Sequence, residues 1–306
     1  MNQLSIIGPT ASGKSDLAIK IALQIDAYIL SIDSLSIYQE IDIVSAKPSE
    51  DELSQVKHFG INILKPDEYF SVDIFISLYT NLVKRCEEDK KNLVIVGGTS
   101  FYLKSLMQGL SKLPTMSQEI KNSVNIQLKD LPACYALLSD IDALYMKNIN
   151  KNDTYRIEKA LLIYEASGVT PTKWFELNPP QAIIENLTIY NIEVSRDTIR
   201  ERIKKRTSIM LEMGLIDEVC RLEKKYSRLP HSMSSIGIVE VLDFLDGKIT
   251  KDEMCELISI HTAQLAKRQQ TFNKTQFNDI ISAPLEELEG IILSKLPLVN
   301  GNQTEF

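Results

Sequence analysis

Cysteine and histidine are both scarce in this sequence. Its 306 residues include four cysteines and three histidines, and no two cysteines have the C-x-x-C spacing of a zinc or redox site. The histidines likewise lack the spacing that metal ligands have in a short motif. We therefore expect reduced thiols in a cytoplasmic protein, with neither a disulfide framework nor a zinc site.

Long apolar runs are missing as well. The longest runs of apolar residues are only a few residues long, whereas a membrane-spanning helix needs about 20. The N-terminus passes directly into the apolar run 4–7, without the basic segment and cleavage site of a secretory leader. The sequence therefore predicts a soluble chain with no membrane partner.

Positive charge is in deficit. Lysine and arginine number 34 against 41 acidic residues, and the formal net charge is -7. This balance argues against a protein that coats nucleic acid without specificity, because neutralising phosphates requires basic side chains. Basic residues nevertheless cluster at Arg196, Arg200, Arg202, Lys204, Lys205 and Arg206, and again at Lys267, Arg268 and Lys274. The first cluster is either a solvated helix face or a site for polyphosphate or a nucleic-acid backbone.

A phosphate-binding motif stands near the N-terminus. Residues 8–15 read G-P-T-A-S-G-K-S, which matches the pattern G-x-x-x-x-G-K-[ST]. A buried strand is predicted before it and an amphipathic helix after it, a context that a chance glycine turn would not require. We predict that a diphosphate or triphosphate is held by Gly8, Pro9, Thr10, Ala11, Ser12, Gly13, Lys14 and Ser15. In this motif Lys14 supplies charge and Ser15 a ligand for Mg2+.

Two further strands end in polar residues that can reach the same ligand. A strand at 28–32 leads to Asp33, and a strand at 93–96 leads to Gly97-Gly98-Thr99, where most P-loop enzymes carry a metal-directed aspartate. Asp33 then either orients the metal or accepts a proton, unless it only caps the next helix. Thr99 contacts the ligand or caps the helix predicted at 100–108.

The remaining pattern predicts an interrupted α/β fold. Residues 117–182 read as helices with no strand between them, and strand character returns at 187–194, before a basic helix that Ser195 caps. A last short strand is predicted at 278–282. We therefore predict a P-loop NTPase-like parallel sheet flanked by helices, formed by residues 1–116 and 187–306, with an inserted all-helical subdomain at 117–186.

Taken together, these motifs resemble the tRNA dimethylallyltransferase family, also called tRNA isopentenyltransferases, over most of the chain. Besides residues 8–15, the resemblance rests on Asp33-Ser34, Asp42-Ile43, Ala46-Lys47-Pro48, Gly97-Gly98-Thr99, Asn152-Asp153, Arg156, Arg202, Arg206, Gly214-Leu215, Glu218, Glu240 and Ala266-Lys267-Arg268-Gln269. The chain departs from the family at Ser36, Tyr155 and Lys159, where Gln, Gln and Arg are usual, and at Phe272-Asn273, where Trp-Phe is common.

The resemblance implies transfer of a dimethylallyl group from dimethylallyl diphosphate to N6 of the adenosine 3′ of the anticodon in tRNA, with release of diphosphate. It implies Mg2+ as cofactor, a monomer, and the anticodon stem-loop as the part of tRNA that the helical insertion clamps. The catalytic residues would be Asp33, which takes the N6 proton, Thr99 and Arg206. The tRNA contacts would be Asp33, Ser34, Leu35, Ser36, Thr99, Lys121, Tyr155, Arg156, Ile157, Glu158 and Lys159. Two alternatives stay open from the residues themselves: a small-molecule or nucleotide kinase, and a transferase acting on free adenine nucleotide.

Overall fold

The structure is a computed structural model and describes residues 1–295. The chain forms two compact units, of which the first joins Met1–Lys104 to the chain after residue 185 and the second is Ser105–Glu185. The first unit is α/β and the second is all helical, so the predicted fold class is confirmed. Residues 296–306, which the predicted core domain included, lie outside the described range.

The strands and helices have the following bounds. The strands are β1 (Gln3–Ile7), β2 (Ala27–Ser31), β3 (His58–Phe59), β4 (Asn92–Gly97), β5 (Thr188–Glu193) and β6 (Ile280–Pro284). The helices are α1 (Lys14–Gln24), α2 (Glu50–Gln55), α3 (Val72–Glu88), α4 (Ser100–Gln108), α5 (Gln118–Gln127), α6 (Leu131–Ile141), α7 (Ala143–Met146), α8 (Thr154–Ser167), α9 (Pro171–Leu177), α10 (Arg196–Glu212), α11 (Leu215–Tyr226), α12 (Ile238–Leu245), α13 (Lys251–Gln276) and α14 (Leu285–Lys295). In residues 1–295, no helix has the length and apolar character needed to cross a membrane.

A parallel sheet forms the centre of the α/β unit. As far as the structure describes the chain, the sheet has six strands in the order β3-β2-β4-β1-β5-β6, with every neighbouring pair parallel. The central strands β1 and β4 are buried along almost their whole length, as expected where helices cover both faces. Because the strands run the same way, their carboxyl ends meet at one edge, where open α/β sheets bind ligands.

Five of these strands lie within two residues of their predicted positions. The exception is β3, which has only two residues and is therefore too short to give a recognisable pattern. The basic helix α10 begins where predicted, since the hydroxyl of Ser195 accepts a hydrogen bond from the N–H of Thr198.

The helical unit has its own core. Buried side chains of α5, α6 and α8 pack together there, among them Val124, Leu138, Ile157, Ala160 and Leu161. The unit begins at Ser105, whereas the predicted insertion began at residue 117. The difference arises because the carbonyl of Leu106 accepts hydrogen bonds from the N–H groups of Ile183 and Ile184, at 2.8 and 3.0 Å, which ties the end of α4 to the end of this unit.

A loop at residues 41–48 of the α/β unit is held by a buried carboxylate. Glu218 on α11 is 2% exposed and accepts hydrogen bonds from the N–H groups of Asp42, Ile43 and Val44, at 2.8 to 3.1 Å. The ammonium group of Lys47 holds the loop from within, because it donates to the carbonyl of Tyr38 and to two side chains. These contacts fix a loop whose residues 45, 46 and 48 line the cavity described below.

Replacing Glu218 should therefore destabilise the fold. In the variant Glu218→Gln, a side-chain amide N–H would face backbone N–H groups that have lost an acceptor, and we expect a loss of about 2 kcal/mol in the free energy of unfolding. Urea denaturation measures this loss. The exposed Glu256 provides the control, since Glu256→Gln should change stability by less than about 0.5 kcal/mol. Equal stabilities for the two variants would contradict the role given to Glu218.

Candidate functional site

The loop between β1 and α1 has the conformation of an anion-binding nest. Its backbone turns through the left-handed region at Ala11, with φ 61°, and at Gly13, with φ 89°. A side chain at Gly8 would come within 3.0 Å of the hydroxyl of Ser12 and 3.2 Å of Ile192, so the loop is tightly packed at this position. Left-handed residues within such a loop turn successive backbone N–H groups toward one point, where an anion can bind.

Several of these N–H groups stand at the start of a helix. Gly13 precedes α1 and contributes no side-chain cap, so the first N–H groups of α1 remain available to a ligand. The N–H of Thr10 differs, because it donates to Oε1 of Gln269 at 2.8 Å. The N–H of Ser12 donates to the carbonyl of Pro9 at 3.3 Å. The donors thus cluster at the C-terminal half of the predicted phosphate loop.

Two arginines of α10 donate hydrogen bonds to the phosphate loop. Arg202 donates to the carbonyls of Ala11 and Ser12, at 3.4 and 3.3 Å, and Arg206 donates to the hydroxyl of Thr10 at 3.2 Å. Not every basic residue of the helix faces this way, since Arg200 is exposed and lies 3.6 Å from the carboxylate of Asp197. One side of the basic helix therefore faces the phosphate loop, and another is a solvated face.

Asp33 follows β2 at the same edge of the sheet. Its Oδ1 accepts hydrogen bonds from the N–H groups of Leu35 and Ser36, at 2.9 and 3.3 Å. These bonds stabilise a turn at residues 34–37, so Asp33 does not cap a helix: the next helix is α2, which Ser49 caps. A side chain on Gly97 would come within 3.1 Å of the N atom of Asp33 and closer still to Ile32. Glycine at the end of β4 therefore lets the Asp33 backbone approach the centre of the edge.

A cavity joins these elements. It is lined by Thr10, Lys14, Ser15, Ala18, Ser31, Asp33, Ser36, Ser45, Ala46, Pro48, His58, Ile61, Val96, Gly97 and Arg206. Burial lowers the pKa of Lys14 to about 8; the charge of Asp33 opposes this change, and that of Arg206 adds to it. Burial also lowers the pKa of Arg206, against the opposing effect of Asp33. Two desolvated cations beside one carboxylate make a site that favours an anionic ligand.

A family model for IPP transferase matches residues 36–276, which is more than half of the chain. This chain belongs to the IPP transferase family. It is 67% identical over 296 residues to the tRNA dimethylallyltransferase of Sulfurimonas denitrificans, covering 97% of this chain and 100% of that protein. It is 53% identical over 294 residues to the tRNA dimethylallyltransferase of a Sulfurovum species, covering 96% and 98%.

Solved structures of similar proteins agree with the family. The tRNA isopentenylpyrophosphate transferase of Bacillus halodurans has a TM-score of 0.70 and 27% identity, with 96% of each chain covered. A eukaryotic dimethylallyltransferase, solved while acting on tRNA, has a TM-score of 0.82 at 21% identity, covering 98% of this chain and 81% of that one. Because its sequence identity is low, the second structure shows a similarity of fold alone.

Thr99 and Ser34 form a hydrogen-bonded pair next to Asp33. The hydroxyl of Thr99 accepts from the N–H of Ser34 at 3.3 Å and donates to its hydroxyl at 3.4 Å. Of the other predicted contacts here, Ser36 is buried and lines the cavity, while Leu35 packs partly into the core. The structure therefore brings Asp33, Ser34, Ser36 and Thr99 to one edge.

The predicted tRNA contacts of the helical unit lie on α5 and at the start of α8. Lys121 and Tyr155 are exposed, and the ammonium group of Lys159 lies 5.4 Å from the centroid of the Tyr155 ring. Arg156 pairs with Asp153, which caps the helix. Ile157 does not belong to this surface, because its side chain is 0% exposed in the core of the unit. Glu158 is partly exposed.

The oxygen ligands at the cavity suit Mg2+. Ser15 and Asp33 line it with a hydroxyl and a carboxylate, and Mg2+ in phosphate sites is usually held by one or two such side chains together with the phosphates. No group of three or more His, Cys, Asp and Glu residues that could enclose a metal occurs in residues 1–295. The chemistry of the donors therefore fits a cation that is held jointly with a phosphate.

Sequence reasoning left two residues of this site without a role. His58 lines the cavity, and its Nδ1 donates to the carbonyl of Val56 at 2.7 Å, which leaves Nε2 as an acceptor in the neutral ring. Burial lowers the pKa of His58, which favours this neutral form. Gln269 lies on the distant helix α13, and only its place in the Ala266–Gln269 motif could have drawn attention to it.

The pKa of Lys14 predicts how phosphate binding depends on pH. Lys14 is charged below about pH 8 and neutral above it, so affinity for inorganic diphosphate should fall as the pH rises through that value. We expect the affinity to fall about tenfold, because the phosphate loses one charged hydrogen-bond donor. Calorimetric titration across this range measures it. Lys14→Arg is the control, because arginine keeps its charge and leaves only the titration of diphosphate itself. The same pH profile for both proteins would contradict the assignment.

Proposed function

We propose that the protein transfers a dimethylallyl group from dimethylallyl diphosphate to N6 of the adenosine on the 3′ side of the anticodon in tRNA, and releases diphosphate. Family membership and the names of the relatives support this activity. The observation that carries it in this chain is the cavity itself, where Lys14, Arg206 and the start of α1 face the carboxylate of Asp33. The transfer requires a binding site for the leaving diphosphate and a proton acceptor in the same place.

The cations and N–H groups would stabilise the departing diphosphate. As the allylic C–O bond breaks, negative charge grows on the bridging oxygen, and donors that already point there need no rearrangement. Lys14, Arg206 and the first N–H groups of α1 are the donors. One such donor in a desolvated site typically contributes about a hundredfold or more in rate. Ser15 would hold Mg2+, which supplies further positive charge at the phosphates when bound.

Asp33 would accept the proton from N6. The exocyclic amine of adenine is a poor nucleophile, so a carboxylate that orients the amine and removes its proton assists formation of the C–N bond. The N–H groups of Leu35 and Ser36 donate hydrogen bonds to Oδ1 of Asp33, which restrains the position of that oxygen. Oδ2 then remains for the substrate.

The adenosine must leave the stacked anticodon loop to reach this cavity. Ser34 and Thr99, joined by hydrogen bonds beside Asp33, are suited to contact the extruded base. On the helical unit, Lys121, Tyr155, Arg156 and Lys159 present charge and an aromatic ring, which suit contacts to the stem-loop. We expect the enzyme to act as a monomer in the cytoplasm.

The end of β4 favours transfer over phosphorylation. Kinases and nucleotide hydrolases of this fold hold their metal with an aspartate after the corresponding strand. In this chain β4 ends at Gly97, and the next residues are Gly98 and Thr99. The end of β4 therefore lacks the metal-directed aspartate of those enzymes, which a site that only stabilises a departing diphosphate does not need.

Labelled dimethylallyl diphosphate tests the reaction directly. Incubated with the protein, Mg2+ and unmodified tRNA, the label should enter the adenosine next to the anticodon, while AMP offered in place of tRNA stays unlabelled. Digestion of the tRNA and chromatography of its nucleosides locate the label. Absence of label from tRNA, or turnover of ATP with a small acceptor, would contradict the proposal.

The variant Asp33→Asn tests the proton acceptor. An amide cannot take the N6 proton, so we expect turnover to fall by roughly a hundredfold to ten-thousandfold while the affinity for tRNA changes little. Single-turnover kinetics and a filter-binding assay measure the two quantities. Asp51→Asn, at an exposed position of α2, is the control for loss of a carboxylate elsewhere in the unit. Equal losses in turnover and affinity would assign Asp33 to binding.

A further inference from the structure

Helix α13 braces the carboxyl ends of three adjacent strands with two consecutive glutamines. Gln269 accepts a hydrogen bond from Thr10, in the loop that follows β1, and its side chain lies over Gly98, directly after β4. Gln270 donates to the carbonyl of Val194, directly after β5, at 3.2 Å. Since β4, β1 and β5 are neighbours in the sheet, one turn of helix reaches the whole centre of the edge.

Apolar packing sets the position of α13. Ala266 is 2% exposed and packs with Ile199 and Ile203 of α10 and with Ala11 of the phosphate loop. Residues three apart lie on the same face of a helix, so the position of Ala266 directs Gln269 toward the loop. The reach of Gln269 to Thr10 therefore follows from the contact between the two helices.

Gly98 is the second part of this arrangement. A Cβ atom on Gly98 would lie 2.3 Å from Nε2 and 3.1 Å from Cδ of Gln269, and its three nearest neighbours all belong to that side chain. The backbone at Gly98 does not adopt the positive φ that favours glycine. A side chain at position 98 would therefore displace the amide of Gln269, whose Oε1 accepts the hydrogen bond from Thr10.

We propose that Gln269 is a positioning residue for the diphosphate site, and that residue 98 is glycine to admit it. Gln269 holds the N–H of Thr10, while Arg206 holds its hydroxyl, so α13 and α10 together fix where the phosphate loop begins. Because the Thr10 N–H already has this acceptor, Thr10 supports the loop, and the diphosphate binds to the N–H groups at the start of α1. This role deepens the proposed function and rests on it.

A double-mutant cycle tests the proposal. The full-length variants Gln269→Ala, Gly98→Ala and the double variant are compared for their affinity for inorganic diphosphate by calorimetry, and for KM and kcat with dimethylallyl diphosphate. Each single variant should lose about tenfold in affinity, with KM rising more than kcat falls. The double variant should be no weaker than Gln269→Ala, because the methyl group added at position 98 no longer meets a side chain.

Two controls keep the result specific. Gly290→Ala adds a methyl group in α14 where nothing lies within 4 Å, and Gln55→Ala removes an exposed glutamine, so neither should change affinity. Thermal unfolding shows whether each variant is folded at the assay temperature. A harmless Gly98→Ala, or losses that add in the double variant, would overturn the proposal. A wild-type protein that binds diphosphate and transfers no prenyl group would refute the proposed function and leave the cycle interpretable.

Discussion

A cation held partly out of water at the carboxyl edge of the sheet is the constraint on which the rest of the site depends. The ammonium group of Lys14 has a pKa lowered to about 8, and the nearby guanidinium of Arg206 adds to the cost of its charge. Desolvated charges of the same sign are tolerated where a hydrogen-bond acceptor or an opposite charge lies close to them and compensates them. Here the carbonyl of Pro9, which accepts from Lys14 at 3.0 Å, and the charge of Asp33 do so only in part, and a bound diphosphate would complete the compensation.

That constraint explains why segments far apart in the sequence meet at a short loop. Arg202 and Arg206 of α10 donate hydrogen bonds to the phosphate loop from positions almost 200 residues later in the chain. Gln269 of α13 accepts a hydrogen bond from Thr10 of the same loop, 259 residues away. The loop at 41–48 is held in a similar way, because Glu218 accepts hydrogen bonds from three successive backbone N–H groups of the loop. Groups that are fixed before the ligand arrives need not be reorganised during the reaction, which is the source of much of the rate enhancement in such sites.

Local patterns were sufficient for the parts of the site that are local. The phosphate loop, Asp33 and Thr99 follow from a strand, a turn and the rule that parallel strands deliver residues to one edge. Gln269 and Glu218 could not be assigned in this way, because their roles depend on partners more than 170 residues distant. Ile157 shows the opposite case, since its spacing with Ala160 and Leu161 already marks a buried helix face, and only the family resemblance placed it at the tRNA.

In the proposed reaction, one cavity holds both the leaving diphosphate and the proton acceptor for the adenine amine. The most direct measurement is a crystal structure of the protein with an anticodon stem-loop and an analogue of dimethylallyl diphosphate in which sulfur replaces the bridging oxygen. The expected result has the diphosphate on the first N–H groups of α1, beside Lys14 and Arg206, and the adenine N6 within about 3 Å of Asp33. A diphosphate bound elsewhere, or an N6 atom facing a group other than Asp33, would contradict it.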